Sequence, residues 1–344
     1  KVEQNSSIFN FKLLRSPIII IALYVIIELG FRISSFGAHT ALNWGTYNPR
    51  GILSTDIVMA VENPEISWKL RPGVETIFKN QKFTTNSLGL RNPEVSAHKL
   101  FGKTRVIVLG RSITMGAGVS DEATYTRRLQ QHLEDWKPGQ YEVLNCAVGG
   151  YSLKQMLNYY EEYLTGLNTD ILLIPLSKED LLKSDPQFAP PLALAQPSIS
   201  HLNFYLSYTF LYESLRFVVK RTFKPRLSTD WKARASEITD PQAAVSSNKL
   251  ILAAFIHKRN LENISCLLYS PDRGENPSAE SDEILEQWTN AQTGASYLDI
   301  NEYMQGKMPA KTHIYFGDNH PSPEVHALFA DALFLEFKKR YEQQ

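Results

Sequence analysis

From Thr104 onward the chain alternates short apolar runs with longer periodic ones, and this alternation leaves few folds open. The runs "RVIVLG", "YEVLNCAV", "DILLIPLS" and "ISCLLYS", with "SYLDI" a weaker fifth, read as strands. Between them "TYTRRLQQHLEDWK", "SLKQMLNYYEEYLTGL" and the terminal "PEVHALFADALFLEFKKRYEQ" space their apolar residues as amphipathic helices do. Continuous apolar strands separated by helices need both faces of the sheet covered, which predicts a parallel sheet. Ligand chemistry in such a sheet gathers at the carboxyl ends of the strands.

The N-terminus carries a second constraint. Arg15 and Arg32 bracket or close "SPIIIIALYVIIELGF", whose only charge is Glu28. As a helix this segment is about 24 Å long, short for a bilayer unless flanking arginines snorkel to the interface. A cleaved signal peptide is the competing reading, and no small-x-small cleavage pattern follows the run. Lys1, Lys12 and Arg15 precede the segment, against Arg32 and the distant Arg50 after it. Positive-inside asymmetry then puts the N-terminus in the cytoplasm and the bulk of the chain outside it, as a single-pass membrane protein. Glu28 is expected in the headgroup region or against a partner helix.

Three regions follow: an anchor over 1–35, a linker with a small β-rich module over 36–100, and an α/β domain over 101–344. Around 185–240 that domain is interrupted by the proline-rich "DPQFAPPLALAQP" and the aromatic "HLNFYLSYTFLYESLRFVVKRTFK". The insertion is read as packing on its own domain, as a lid, or as a surface resting on membrane or a partner. Lysine plus arginine (36) balances aspartate plus glutamate (36), and no basic run could track a phosphate backbone, so nucleic acid is not an expected partner. Cys146 and Cys266 lie in apolar runs and read as buried thiols. Neither CxxC nor HExxH occurs, and no metal or cofactor is expected.

The strand ends hold candidate chemistry. The first ends in Gly110-Arg111-Ser112, the second in Asn145 to Gly150-Tyr151-Ser152, the third in Ser177-Lys178-Glu179-Asp180. "YFGDNHPSPEVH" places Asp318 and His320 just before the last helix. A serine, turn N–H groups and a carboxylate beside a histidine are the parts of acyl-transfer chemistry. Tyr159, Tyr160 and His326 are read as packing or surface residues of helices.

These blocks resemble those of the SGNH or GDSL esterases and acetylhydrolases. The first family block, roughly G-D-S-x-T-x-G-x-G-V, is similar to Gly110, Ser112, Thr114, Gly116, Gly118 and Val119 in register. Asn145 and Gly150 match the second, and "DNHPSPEVHALFADAL" the last. "TTNSLGLRNPE" looks like a segment of membrane-anchored bacterial members. The resemblance runs from about residue 65 to 340. It implies a three-layer α/β/α sandwich with a flavodoxin-like sheet, Ser112 as nucleophile, His320 as base, and the N–H groups of Ser112 and Gly150 in the oxyanion hole. Asp318, two residues before the histidine, would be its carboxylate.

Three positions depart from the family. Arg111 stands for the usual aspartate, Glu179 for the asparagine of G-x-N-D, and Gly317 for an aspartate three before the histidine. Losing one oxyanion donor costs about 10²–10³ in rate, and a carboxylate there should cost more. Lys178 and Ser177 are candidate replacement donors, and Arg111 and Glu179 are expected to pair across the cleft. Three functions stay open. The first is a membrane-anchored serine esterase or acyltransferase, with carbohydrate O-acyl groups implied by the resemblance. The second is an inactive SGNH-like subunit bound to membrane-protein partners. The third is polysaccharide or lipid binding without turnover.

Overall fold

A computed structural model of the protein describes residues 17–41, 43, 57–177, 180–181, 206, 209–223, 241–271, 279–315 and 318–342. The chain opens with helix α1 (Pro17–Phe36) and continues through strands β1 (Val58–Ala60), β2 (Trp68–Leu70), β3 (Glu75–Phe78) and β4 (Gln81–Thr84). The first strand–helix units are β5 (Thr104–Val108), α2 (Ser112–Met115), α3 (Tyr125–Trp136), β6 (Tyr141–Asn145), α4 (Leu153–Tyr159) and β7 (Ile171–Pro175). Then come α5 (Phe210–Phe223), α6 (Pro241–Leu261), β8 (Ser265–Tyr269), α7 (Ala279–Asn290), β9 (Ala295–Leu298), α8 (Ile300–Met304) and α9 (Pro323–Tyr341).

The five apolar runs form one sheet in the order β6-β5-β7-β8-β9, with every pairing parallel. Numbered within the sheet this is 2-1-3-4-5, the flavodoxin-like winding. Alternate strand residues feed opposite cores. Val106 and Val108 of β5 join α3 (Leu129, Leu133) and α9 (Phe329, Leu333) on one face. Ile107 points the other way, into a cluster with Met156 of α4 and Leu252 and Ile256 of α6. Burying side chains on both faces is what demands the unbroken apolar strands.

The two hairpins before the sheet are antiparallel, β1 with β2 and β3 with β4. Ile66, Trp68, Leu70 and Phe83 lie in the same core cluster as Ile107 and Leu144. Trp68 Nε1 also donates to the Gly149 carbonyl (3.2 Å) and the Tyr151 hydroxyl to the Trp68 carbonyl. The hairpins are thus packed on the sheet domain beside the second block. Cys146 and Cys266 are free, buried thiols; burial pushes the Cys266 thiol up to about 12.

Helix α1 contains a stretch, Pro17–Ser34, long and apolar enough to cross a bilayer by length and composition. Ile18, Ile21, Ile26 and Ile27 on it are exposed. Arg32 does not snorkel: it is buried and donates through Nε to the equally buried Glu28 (2.8 Å). Glu28 meets a helix of its own chain, because its carboxylate accepts from the Phe210 and Leu211 N–H groups at the start of α5.

Candidate active site

β5 delivers the chain into a glycine turn. A Cβ on Gly110 (φ 150°) would lie 2.2 Å from Thr114 Oγ1, so only glycine lets the turn close this tightly. Arg111 caps α2 in an extended conformation and Ser112 is the first helical residue, half-buried at the carboxyl edge of the sheet. Behind it the Tyr125 hydroxyl donates to Thr114 Oγ1 (2.9 Å) and lies 2.5 Å from the Tyr269 hydroxyl. Asn145 is fully buried, and its Nδ2 donates to the Thr114 carbonyl (2.9 Å) and Thr126 Oγ1 (3.1 Å), tying the first block to the second. Ser152 is the N-cap of α4 in a capping box with Gln155, a structural role.

The loop after Ser112 is held by Arg91, a residue sequence reasoning did not single out. Its Nη1 donates to the Met115 (2.7 Å) and Gly116 carbonyls, its Nη2 to the Val119 (2.8 Å) and Lys82 (3.2 Å) carbonyls, and its Nε to Asp121 Oδ1 (2.9 Å). A buried guanidinium is tolerated when its donors are this fully used. The neighbouring Asn92 donates to the Val143 carbonyl and accepts from the Asn145 N–H, docking the same segment on β6.

The histidine loop lies on the other side of the turn. Gly118 (φ 84°) makes room for Ile314, whose Cδ1 would be 2.2 Å from a Cβ there. Ile314 N–H in turn donates to the His320 carbonyl (3.0 Å), so this contact carries the loop onto the first block. Ser322 caps α9 and Pro323 occupies its first turn, which stops the loop two residues after His320. His326, one turn further, is buried and neutral: its Nδ1 accepts from the Tyr125 N–H (3.2 Å), and burial pushes it down to about 3.

Asp318 and His320 are brought together. Asp318 Oδ1 accepts from both the His320 N–H (2.8 Å) and His320 Nδ1–H (2.6 Å). Its other oxygen meets Lys79 Nζ at 2.5 Å, from the tip of the β3–β4 hairpin. Burial by itself would raise the Asp318 carboxyl, but the Lys79 ammonium and His320 outweigh it and hold the group well below the usual carboxylate range. Lys79 (φ 48°) and Asn80 (φ 67°) form the two-residue turn that aims this lysine.

Ser112 Oγ and His320 are not joined by a hydrogen bond in this structure. The Ser112 and Gly150 N–H groups donate to no acceptor among the described residues. At the third block, Ser177 spends both its N–H (2.9 Å) and its hydroxyl (2.7 Å) on Asp180 Oδ2, which removes Ser177 as a replacement oxyanion donor. Arg111 Nη1 lies 2.8 Å from Asp180 Oδ1, an ion-pair distance off the line of a hydrogen bond. Among the described residues the carboxylate beside Arg111 is that of Asp180; the expected pairing of Arg111 with Glu179 falls outside them. Lys178, Glu179 and Gly317 lie outside the described residues. No cluster of three metal-ligating side chains occurs among the described residues.

No family model and no curated protein matches the chain. Solved structures do. A catalytic mutant of an acetylxylan esterase from Geobacillus stearothermophilus is 13% identical, over 69% of this chain and 95% of that one, with a TM-score of 0.42. TesA is 14% identical over 69% of this chain and 99% of that one, with a TM-score of 0.42. A GDSL-like lipase from Bacteroides thetaiotaomicron is 13% identical over 70% and 91%, with a TM-score of 0.39. The fold follows from the protein's own topology: a five-stranded parallel sheet wound 2-1-3-4-5, with Ser112, Gly150 and the Asp318–His320 pair placed after its first strand, after its second and before its last helix. The chain has an α/β fold with a flavodoxin-like parallel sheet covered by helices on both faces.

Proposed function

We propose that the protein is a membrane-anchored, extracytoplasmic serine esterase or acyltransferase acting on O-acyl groups, with carbohydrate esters as the substrate class. The observation that carries this reading is the Asp318–His320 pair, in which the carboxylate is kept ionised and fixes Nδ1 as the protonated nitrogen. Nε2 is then the nitrogen that takes the Ser112 proton as Oγ attacks the ester carbonyl carbon. The carbonyl electrons move onto oxygen, and the N–H groups of Ser112 and Gly150 receive that oxyanion. Collapse breaks the ester C–O bond, and the leaving alkoxide takes the proton back from His320. Water or an acceptor hydroxyl then repeats the sequence on the acyl-enzyme. The Ser112–His320 hydrogen bond must form with substrate bound; catalytic hydrogen bonds are often long in free enzymes.

The anchor reading is supported by α1 and by its flanking charges. Arg32 is paired with Glu28, and in the sequence Lys12 and Arg15 precede the span. A second reading, an inactive domain serving as a subunit of a membrane assembly, is favoured by the Arg111–Asp180 pair in the cleft. A serine-directed fluorophosphonate probe separates the two on the detergent-solubilised full chain. Labelling that Ser112→Ala abolishes supports the enzyme; a folded protein that never labels supports the subunit.

A further inference from the structure

Helix α5 carries an apolar stripe that the fold leaves uncovered. Leu215 (54%), Val218 (44%) and Val219 (52%) are exposed at i, i+3 and i+4, one side of a helix. The N-terminus of α5 is locked to α1. Glu28 Oε1 accepts from the Phe210 N–H (3.0 Å) and Oε2 from the Leu211 N–H (2.8 Å), while Arg32 holds the same carboxylate. The Tyr24 hydroxyl lies 2.5 Å from Thr209 Oγ1, Phe31 stacks on Phe210 at 5.7 Å, and the Arg32 guanidinium lies over the Phe210 ring.

We propose that α5 is a second membrane-embedded element, lying in the headgroup–acyl boundary of the leaflet that α1 enters from the main domain. This rests on the anchor reading of α1. Glu28 is six residues before Ser34, the end of the candidate span, so α5 starts about 9 Å inside it. A charge at that depth is retained where it is paired and hydrogen-bonded, and here its use is to seat α5. Fourteen residues make a helix about 21 Å long, too short to cross a hydrocarbon core of about 30 Å but suited to lie along it. The exposed residues of α5 share the apolar chemistry of the exposed isoleucines Ile18, Ile21, Ile26 and Ile27 of α1, the helix on which α5 is seated. Phe36 of α1 and Phe210 both pack on Tyr315 (4.9 Å between their own rings, 5.5 and 5.4 Å to the tyrosine), in the loop that carries Asp318 and His320. A helix in the interface therefore holds the candidate site at the membrane surface.

The test places an environment-sensitive fluorophore on single cysteines of the full chain reconstituted in vesicles of phosphatidylcholine and phosphatidylglycerol. Leu215→Cys and Val219→Cys report on α5, Ile26→Cys on α1, and Phe101→Cys, fully exposed on a loop, on water. Quenching of the α5 labels by shallow doxyl lipid, with severalfold protection from iodide relative to the Phe101 site, is the expected result. Iodide quenching at 215 and 219 with lipid quenching at Ile26 overturns the proposal and leaves the anchor standing. Loss of lipid quenching at Ile26 overturns the anchor itself. Protection of the α5 labels from both quenchers means that protein, a second copy or a partner, covers the stripe, and this also overturns the proposal.

Discussion

Arg111 and Asp180 face each other across the gap between β5 and β7, with Nη1 2.8 Å from Oδ1. In a sheet wound 2-1-3-4-5 that gap is the topological switch point, the crevice where such folds take ligands. Arg111 places a cation after the first strand of the sheet, and Asp180, which follows the third, lies at ion-pair distance from it. The pair joins the Gly110–Ser112 turn to the Ser177–Asp180 turn, where Asp180 is buried and already accepts from Ser177.

Removing the arginine should therefore uncover a buried charge. Arg111→Ala is expected to lower stability by about 1–2 kcal/mol, below the 3–5 of a fully buried broken pair because the guanidinium is partly exposed. Arg111→Ala combined with Asp180→Asn should recover at least half of that loss. Urea denaturation of the two variants reads it; equal destabilisation would mean the pair contributes nothing.

Ser112→Ala should leave the denaturation midpoint within about 0.5 kcal/mol, since the hydroxyl holds no hydrogen bond with His320 in the free protein. The same change should reduce turnover of an aryl acetate by about 10³-fold or more. Unchanged turnover would move the activity, if any, to another site.

Lys79 is expected to act as a positioning residue for Asp318. The Asp318 carboxyl is depressed in the folded state, so it contributes stability that is complete above the unfolded value of about 3.9 and is lost as pH falls below it. Lys79→Met should remove about 2 kcal/mol at neutral pH and move acid unfolding to higher pH. In an active enzyme it should also shift the acid limb of the kcat/KM profile, which a purely structural lysine would leave in place. Circular dichroism against pH and the pH–rate profile are the measurements.

His326 titrates in a different window. Its folded value is pushed down to about 3, below an unfolded value of about 6.5, so the unfolded chain takes up a proton first on acidification. Stability should fall as pH drops from 6.5 toward 3. His326→Gln keeps an acceptor for the Tyr125 N–H and should flatten that slope, leaving the steeper loss below 3.9 to Asp318. A slope unchanged in the variant would assign it to other groups.

Arg91→Lys should cost about 3–5 kcal/mol. An ammonium cannot reach the carbonyls of Met115, Gly116, Val119 and Lys82 together, as the guanidinium does. Hydrogen exchange should show the 115–121 loop loosening before the rest of the sheet. Uniform loosening would argue against a local clamp.

What the chain determined by itself is local. Apolar runs set the five strands, because a strand buried on both faces must be apolar throughout. The Gly110–Ser112 turn and the Ser322-Pro323 helix start are likewise written in neighbouring residues, through φ and capping. Tertiary structure alone chose the partners. Lys79 meets Asp318 across 239 positions and Glu28 meets Phe210 across 182. Charge and hydrogen-bonding capacity are visible in a sequence, but pairing depends on distance in space, and periodicity carries distance only within one helix or one strand. For the same reason the approach of Asp180 to Arg111 was a tertiary matter: the turn that Ser177 closes on Asp180 places that carboxylate beside the guanidinium.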